Sequence, residues 1–183
     1  FLVKQIGATD DLAKVWNAPE AQEELHYDTS LSGAKAESAL FADGLASVDG
    51  AFAETFMTAA SPGIISTTLL RAKNNRAYAN DREYVLAVAK ELKHEYDYVV
   101  SQGHILQLDA PDLAMERVIM FGDRPLGEFL ERVELHIEAM NIALADIPKD
   151  RVRLHVCWGN WQGPHQDDVP VQDLLPLLYQ ANV

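Results

Sequence analysis

The 183-residue chain has a single cysteine, Cys157. An internal disulfide is therefore excluded, and a reducing, cytoplasmic setting is expected. Cationic residues are also scarce, with 15 Lys and Arg against 28 Asp and Glu, a formal charge of -13. Nucleic-acid phosphates or an anionic bilayer surface would meet net repulsion, so neither is expected as a partner. The chain has no run of eighteen apolar residues and no basic-then-apolar leader, so neither a membrane span nor an export signal is predicted. It lacks the Gly-x-x-x-x-Gly-Lys spacing of a phosphate loop, any internal repeat and any Gly/Ser-rich linker. It also opens on Phe1 where an initiator methionine would stand, and so reads as part of a longer protein.

What is present is apolar and periodic. A hydrophobic fraction of 48% is enough for one sizeable core. Strand-like runs fall at residues 53–59, 105–108 and 152–157, with starts roughly fifty residues apart. A helix is predicted after Asn80 or Asp81, with Val85, Val88, Leu92, Tyr96 and Val99 at three- and four-residue steps and Gly103 as the stop. A second follows Pro125, with Leu126, Phe129, Leu130, Val133, Ile137 and Met140 on one face and Pro148 beyond it. A third is expected from Asp168, with Pro170 in its first turn and carrying Leu174, Leu175 and Leu178, although Pro176 interrupts it. Strand, loop, long helix, strand is the grammar of parallel α/β proteins. Eight-unit barrels typically need about 250 residues. The expectation is thus a partial (β/α)8 TIM barrel of three to four units, all of 1–183 belonging to one catalytic barrel domain and the clear units lying within 53–183. Residues 1–50 stay unassigned, apart from a helical turn around Leu12, Val15 and Trp16 after Thr9 and Asp10, and a helix over 37–45.

The segment RVRLHVCWG, residues 151–159, concentrates the chemistry. On a strand, side chains two residues apart share a face, so His155 and Cys157 would converge. An imidazole and a thiolate together suit zinc, while a buried histidine beside an inert core cysteine is the structural alternative. Asp109 closes the run ILQLD and should emerge at the carboxyl end of its strand on the same barrel face as His155, unless it serves as a cap before Pro111. Other polar residues read more plainly. Glu54, and Glu116 with Arg117, are expected as solvated charges or local ion pairs. His165 is expected as an exposed loop histidine. Trp158 and Trp161 would wall a pocket or pack in the core. Ser61, Pro62 and Gly63 read as a turn, and His104 carries no further signal.

Three segments together resemble the C-terminal catalytic barrel of cobalamin-independent methionine synthase: AETFMTAASPGIISTTLL (residues 53–70), ILQLDAPDLAMER (105–117) and RLHVCWGNW (153–161). They resemble more closely its shorter single-barrel relatives, which include the epoxyalkane:coenzyme M transferases. The His-x-Cys strand is the specific element. The resemblance implies a catalytic Zn2+ that takes up a small-molecule thiol, with His155 and Cys157 as two ligands. The family's other ligands, a glutamate and a second cysteine, are expected outside this chain. It also implies that Asp109 orients the amino group of the thiol substrate.

The implied activity is transfer of a methyl or alkyl group from a donor to a homocysteine-like thiol, giving a thioether, as in methionine biosynthesis. A small-thiol transferase of the coenzyme M type is the alternative, followed by a decarboxylase-like or non-catalytic barrel fragment. Two departures bear on the donor. Ala110 stands where the family's Asp-Glu-Pro places glutamate, and Thr68 stands where a tryptophan stacks on folate. A methyltetrahydrofolate donor is therefore expected to be used poorly.

Overall fold

The computed structural model of the protein describes residues 18–50, 52–160 and 162–183. The turn expected around Leu12, Val15 and Trp16, and Trp161, lie outside these. The described chain runs β1 (Glu20–Ala21), α1 (Ser32–Ala46), β2 (Phe56–Ala60), α2 (Pro62–Thr68), β3 (Leu70–Arg71), α3 (Asp81–Ser101), β4 (Ile105–Asp109), α4 (Asp112–Ile119), α5 (Leu126–Ala143), a 3-10 turn (Lys149–Arg151), β5 (Val152–His155) and α6 (Val171–Leu178). This is a mixed α/β architecture with parallel strands.

The long helices form where their caps and periodicity direct. Asn80 Oδ1 accepts the Glu83 N–H at 2.9 Å, and the Glu83 carboxylate accepts the Ala79 N–H at 2.9 Å, so two donors left over at the start of α3 are satisfied reciprocally. Val85, Val88, Leu92, Tyr96 and Val99 are all buried along one face of α3. Gly103 follows at φ 87°, where a side chain would be strained. Pro125 stands immediately before α5, whose Phe129, Val133, Ile137 and Met140 are buried. The region expected to be helical at 37–45 lies inside α1. The third helix begins at Val171, after Pro170, and carries Pro176 within it.

Strands β2, β4 and β5 form one parallel sheet in that spatial order, and β1 pairs with β3 in a separate two-stranded ladder. The register sets Ala60 beside Asp109 and Asp109 beside His155. Side-chain alternation then gives the sheet two unlike faces. Ala59, Leu106, Leu108 and Val152 are buried in one core with the apolar faces of α3 and α5. The opposite face carries Phe56, Thr58, Arg153 and His155, all exposed, with Gln107 and Asp109 half-buried between them. Among the described residues no helix is long and apolar enough to cross a membrane.

Two differences from the periodic reading matter for the site. First, β5 stops at His155, whereas the apolar pattern continued to Cys157. The last backbone link to β4 is Ala110 N–H to His155 C=O at 2.9 Å, and beyond it the chain has no strand to pair with. Second, α2 occupies what read as a turn at Ser61, Pro62 and Gly63, and α4 follows the Asp109 strand end where no element was assigned. Ser61 caps α2, its Oγ accepting the Ile64 N–H at 3.1 Å with Pro62 at the first helical position.

Tyr96 is fully buried, and its hydroxyl donates to the Ala60 carbonyl at 2.6 Å, fastening α3 to the carboxyl end of β2. Tyr96→Phe should lower stability by about 1–2 kcal/mol by leaving that carbonyl unpaired. Urea denaturation checks this, and an unchanged midpoint would mean that the bond contributes nothing.

Candidate functional site

Parallel pairing of β4 with β5 brings Asp109 and His155 side by side at the carboxyl ends of their strands. His155 Nδ1 lies 3.0 Å from Asp109 Oδ1. The same carboxylate oxygen accepts from Gln107 Nε2 at 3.0 Å, and Gln107 Oε1 accepts from Arg153 Nε at 2.8 Å. Each link joins residues on one face of the sheet. The Arg153 guanidinium lies 3.6 Å from the centre of the Phe56 ring, which anchors the far end of the chain. An ionised Asp109 selects the tautomer of His155 with the proton on Nδ1, leaving the Nε2 lone pair free. Asp109 is not a helix cap: α4 begins at Asp112 after Pro111 and has no side-chain cap.

Cys157 lies two residues past the strand end. It is a half-buried free thiol whose Sγ accepts the Gly159 N–H at 3.2 Å. Gly159 has φ 85°, so the chain turns sharply there. Beside this turn a cleft of about 180 Å³ is lined by Met115, Trp158, Gly159 and His165. Trp158 donates Nε1–H to the Val169 carbonyl at 2.8 Å and packs against the core. Among the described residues no three His, Cys, Asp or Glu side chains converge as a metal centre requires.

The remaining singled-out residues fall elsewhere. Glu54 is exposed before β2, at the amino end of the sheet. His104 is at that end as well, with Nδ1 2.7 Å from Thr55 Oγ1, and burial pushes its pKa down, helped by the Arg151 charge. His165 is exposed in its loop, and its Nδ1 lies 2.8 Å from Asp168 Oδ2. Thr68 is exposed and returns its hydroxyl to the Ile64 carbonyl at 2.8 Å. Arg117 donates to the carbonyls of Phe121 and Arg124, stapling the loop after α4.

Glu116 overturns its expectation as a solvated charge. It is buried at 3% exposure and accepts the Thr67 hydroxyl. Burial raises its carboxyl above the ordinary range, against the lowering effects of His136 and the Thr67 hydrogen bond. Close by, Ser61 Oγ donates to Asp112 Oδ1 at 2.6 Å, and Asp112 Oδ2 lies 2.8 Å from His136 Nδ1. Ser61, Asp112 and His136 are all essentially inaccessible to solvent, and His136 Nε2 has no hydrogen-bond partner among the described residues. The periodic reading missed this cluster because its members come from α2, α4 and α5. Its one local signal was Asp112 and Glu116 four residues apart, flanking the buried Leu113 on a short amphipathic helix.

Comparison of the chain with protein-family models, with curated proteins and with solved structures finds no match.

Gly63 exists because of this cluster. A Cβ there would stand 1.9 Å from Asp112 Oδ2 and 2.4 Å from His136 Nδ1, both held in place by buried hydrogen bonds. Gly63→Ala should therefore cost about 3 kcal/mol. Gly127→Ala, in α5 with open space around it, should stabilise by about 0.5–1 kcal/mol. Thermal unfolding of the two variants checks the contrast, and equal midpoints would contradict the packing described.

The raised pKa of Glu116 sets a sign for pH dependence. A carboxyl with a folded pKa above its unfolded value contributes stability below the unfolded pKa, and that contribution is lost as pH rises through the folded pKa. Glu116→Gln removes the titration and keeps an acceptor for Thr67. Relative to the parent, this variant should therefore gain stability as pH rises from about 4 to 8. A stability difference independent of pH over that window would show that Glu116 keeps its ordinary pKa.

Proposed function

We propose that the protein is a zinc-dependent thiol methyl- or alkyltransferase built on a (β/α)8 barrel of the cobalamin-independent methionine synthase type. The observation that carries this reading is the Asp109–His155 pair at 3.0 Å, half-exposed at the carboxyl ends of adjacent parallel strands. Catalytic residues of such barrels occupy this end of the sheet. A metal-binding histidine usually gives its second ring N–H to a carboxylate, which fixes the tautomer and turns the other nitrogen towards the metal. Asp109 meets that requirement for His155.

The strand order supports the barrel. In space β2, β4 and β5 follow one another as they do in sequence, and the helices between them share one core with one face of the sheet. A doubly wound sheet would reverse its strand order and take helices on both faces. The exposed face, with Gln107, Asp109, Arg153 and His155, is then the face that a barrel turns inward.

The donor set fits zinc in kind, since Nε2 of His155 and Sγ of Cys157 are a borderline and a soft ligand. Further donors are needed for a complete shell. Zinc bound at these residues would supply one chemical service, holding a substrate thiol as its thiolate at neutral pH. The protein's own residues do the rest. Asp109 orients His155 and offers its second oxygen, Oδ2, to the ammonium of an amino-acid thiol. The Gly159 N–H holds the Cys157 sulfur, and the cleft between Met115 and Trp158 offers an apolar wall for a transferred methyl or alkyl group. Thr68 and Ala110 supply neither an aromatic platform nor a second acid, so the donor is expected not to be methyltetrahydrofolate.

A barrel without a metal is the competing reading, in which Gln107, Arg153 and Asp109 hold His155 in a purely structural polar ladder. Elemental analysis of the intact protein decides between them. We expect about one zinc per chain, lost in His155→Ala and in Cys157→Ser, with Asp109→Ala weakening zinc affinity roughly 10- to 100-fold. Zinc retained in full by both ligand variants, or no zinc in the parent, would overturn the assignment.

A further inference from the structure

The helix layer holds a second cleft, separate from the exposed face of the sheet. It has a volume of about 330 Å³ and lies among α2, β3, the start of α3, α4 and α5. Four of the chain's 15 basic residues line it, Arg71, Lys73, Arg124 and Arg132. The only acidic residues lining it are Asp81 and Glu116, and burial raises the pKa of Glu116 and so favours its neutral form. In a protein of net charge -13, this makes the cleft a local island of positive charge.

The cations are not equally committed. Arg71 Nε donates to Asp81 at 3.0 Å, and Arg124 Nη2 pairs with Glu128 at 2.5 Å. Arg132 is different. Its side chain is only 28% exposed, and its closest carboxylate oxygen, on Asp81, is 3.9 Å away, beyond hydrogen-bond reach. Its five N–H donors have no acceptor among the described residues. The guanidinium is partly exposed at the cleft, where an incoming anion can reach it. Its charge is thus held only loosely, by Asp81 and by the neighbouring Glu116 carboxyl, whereas Lys73 has no ion-pair partner among the described residues.

The walls define the rest of the ligand. The Phe121 ring has Arg124 at 4.6 Å on it and Arg132 at 6.0 Å, which holds both planar guanidinium groups against one wall. Leu70 and Met120 add apolar surface, and the volume is that of a small-molecule site. The unpaired Lys73 and the loosely held Arg132 together match a dianionic group, which a monocarboxylate does not supply. Arginine's fork is also suited to bidentate contact with phosphate oxygens.

We propose that this cleft binds a phosphate monoester carried on a small apolar body, with Arg132 and Lys73 as its principal contacts. The site is distinct from the Asp109–His155 pair and does not depend on zinc being bound there. It gives the protein a second ligand, whether as a co-substrate fragment or as an effector.

Calorimetric titration of the intact protein with phenyl phosphate, inorganic phosphate and benzoate tests the proposal. Phenyl phosphate should bind saturably with a Kd of about 1 mM or tighter, at least about tenfold more tightly than either of the other two. Arg132→Gln and Lys73→Gln should each weaken it about tenfold, while Lys90→Gln, on the exposed side of α3, should not change it. Lys73 is exposed, so its variant keeps the test valid should Arg132→Gln fail to fold. Benzoate binding as tightly as phenyl phosphate would overturn the phosphate assignment, and inorganic phosphate binding as tightly would overturn the apolar body. No phenyl phosphate binding up to about 10 mM, or binding indifferent to Lys73→Gln, would overturn the site itself.

Discussion

Parallel pairing of β4 with β5, in the register that sets Asp109 against His155, is the constraint on which the rest of the molecule depends. A shift by one residue would send Leu106, Leu108 and Val152 to the exposed face and bring Gln107 and Asp109 into the core. Burial of those apolar side chains with α3 and α5 therefore also fixes where the polar ladder stands. The ladder from Phe56 and Arg153 through Gln107 to Asp109 and His155 needs no specification beyond this register. The burial that fixes this register thus also places Asp109 beside His155.

The helix layer solves a different problem. Asp112 and His136 are buried polar groups, and each must be satisfied or destabilise the fold. Ser61 and the close approach permitted by Gly63 satisfy both oxygens of Asp112 and one nitrogen of His136. The second nitrogen finds no partner among the described residues. Glu116 and Thr67 continue this polar layer to the cationic cleft. One face of the sheet thus carries the Asp109–His155 pair, and the other packs against the helix layer that holds the cationic cleft.

Much of this was legible in the residues, for definite reasons. Long helices announce themselves through repeated burial at three- and four-residue steps, as Val85 to Val99 and Phe129 to Met140 do, and their ends through Asn80, Gly103 and Pro125. Asp109 and His155 were expected on one face at the carboxyl ends of their strands, and they lie together there. The strand end after His155 was misjudged, since Val156 keeps the apolar pattern while the backbone has run out of a neighbour. The Ser61–Asp112–His136 cluster was not legible, because its hydrogen bonds cross 24 and 51 residues and no local spacing encodes them. Glu116 was misread for a related reason, since only tertiary packing of α4 reveals which side of that short helix faces in.

The claim that most needs testing is that His155, oriented by Asp109, and Cys157 hold a metal that accepts a thiol. Zinc-edge X-ray absorption of the intact protein, before and after addition of homocysteine or coenzyme M, reads this directly. The account requires a mixed nitrogen and sulfur shell that gains one sulfur at about 2.3 Å when the thiol enters. A shell that no thiol alters, or one that survives loss of both His155 and Cys157, would contradict it.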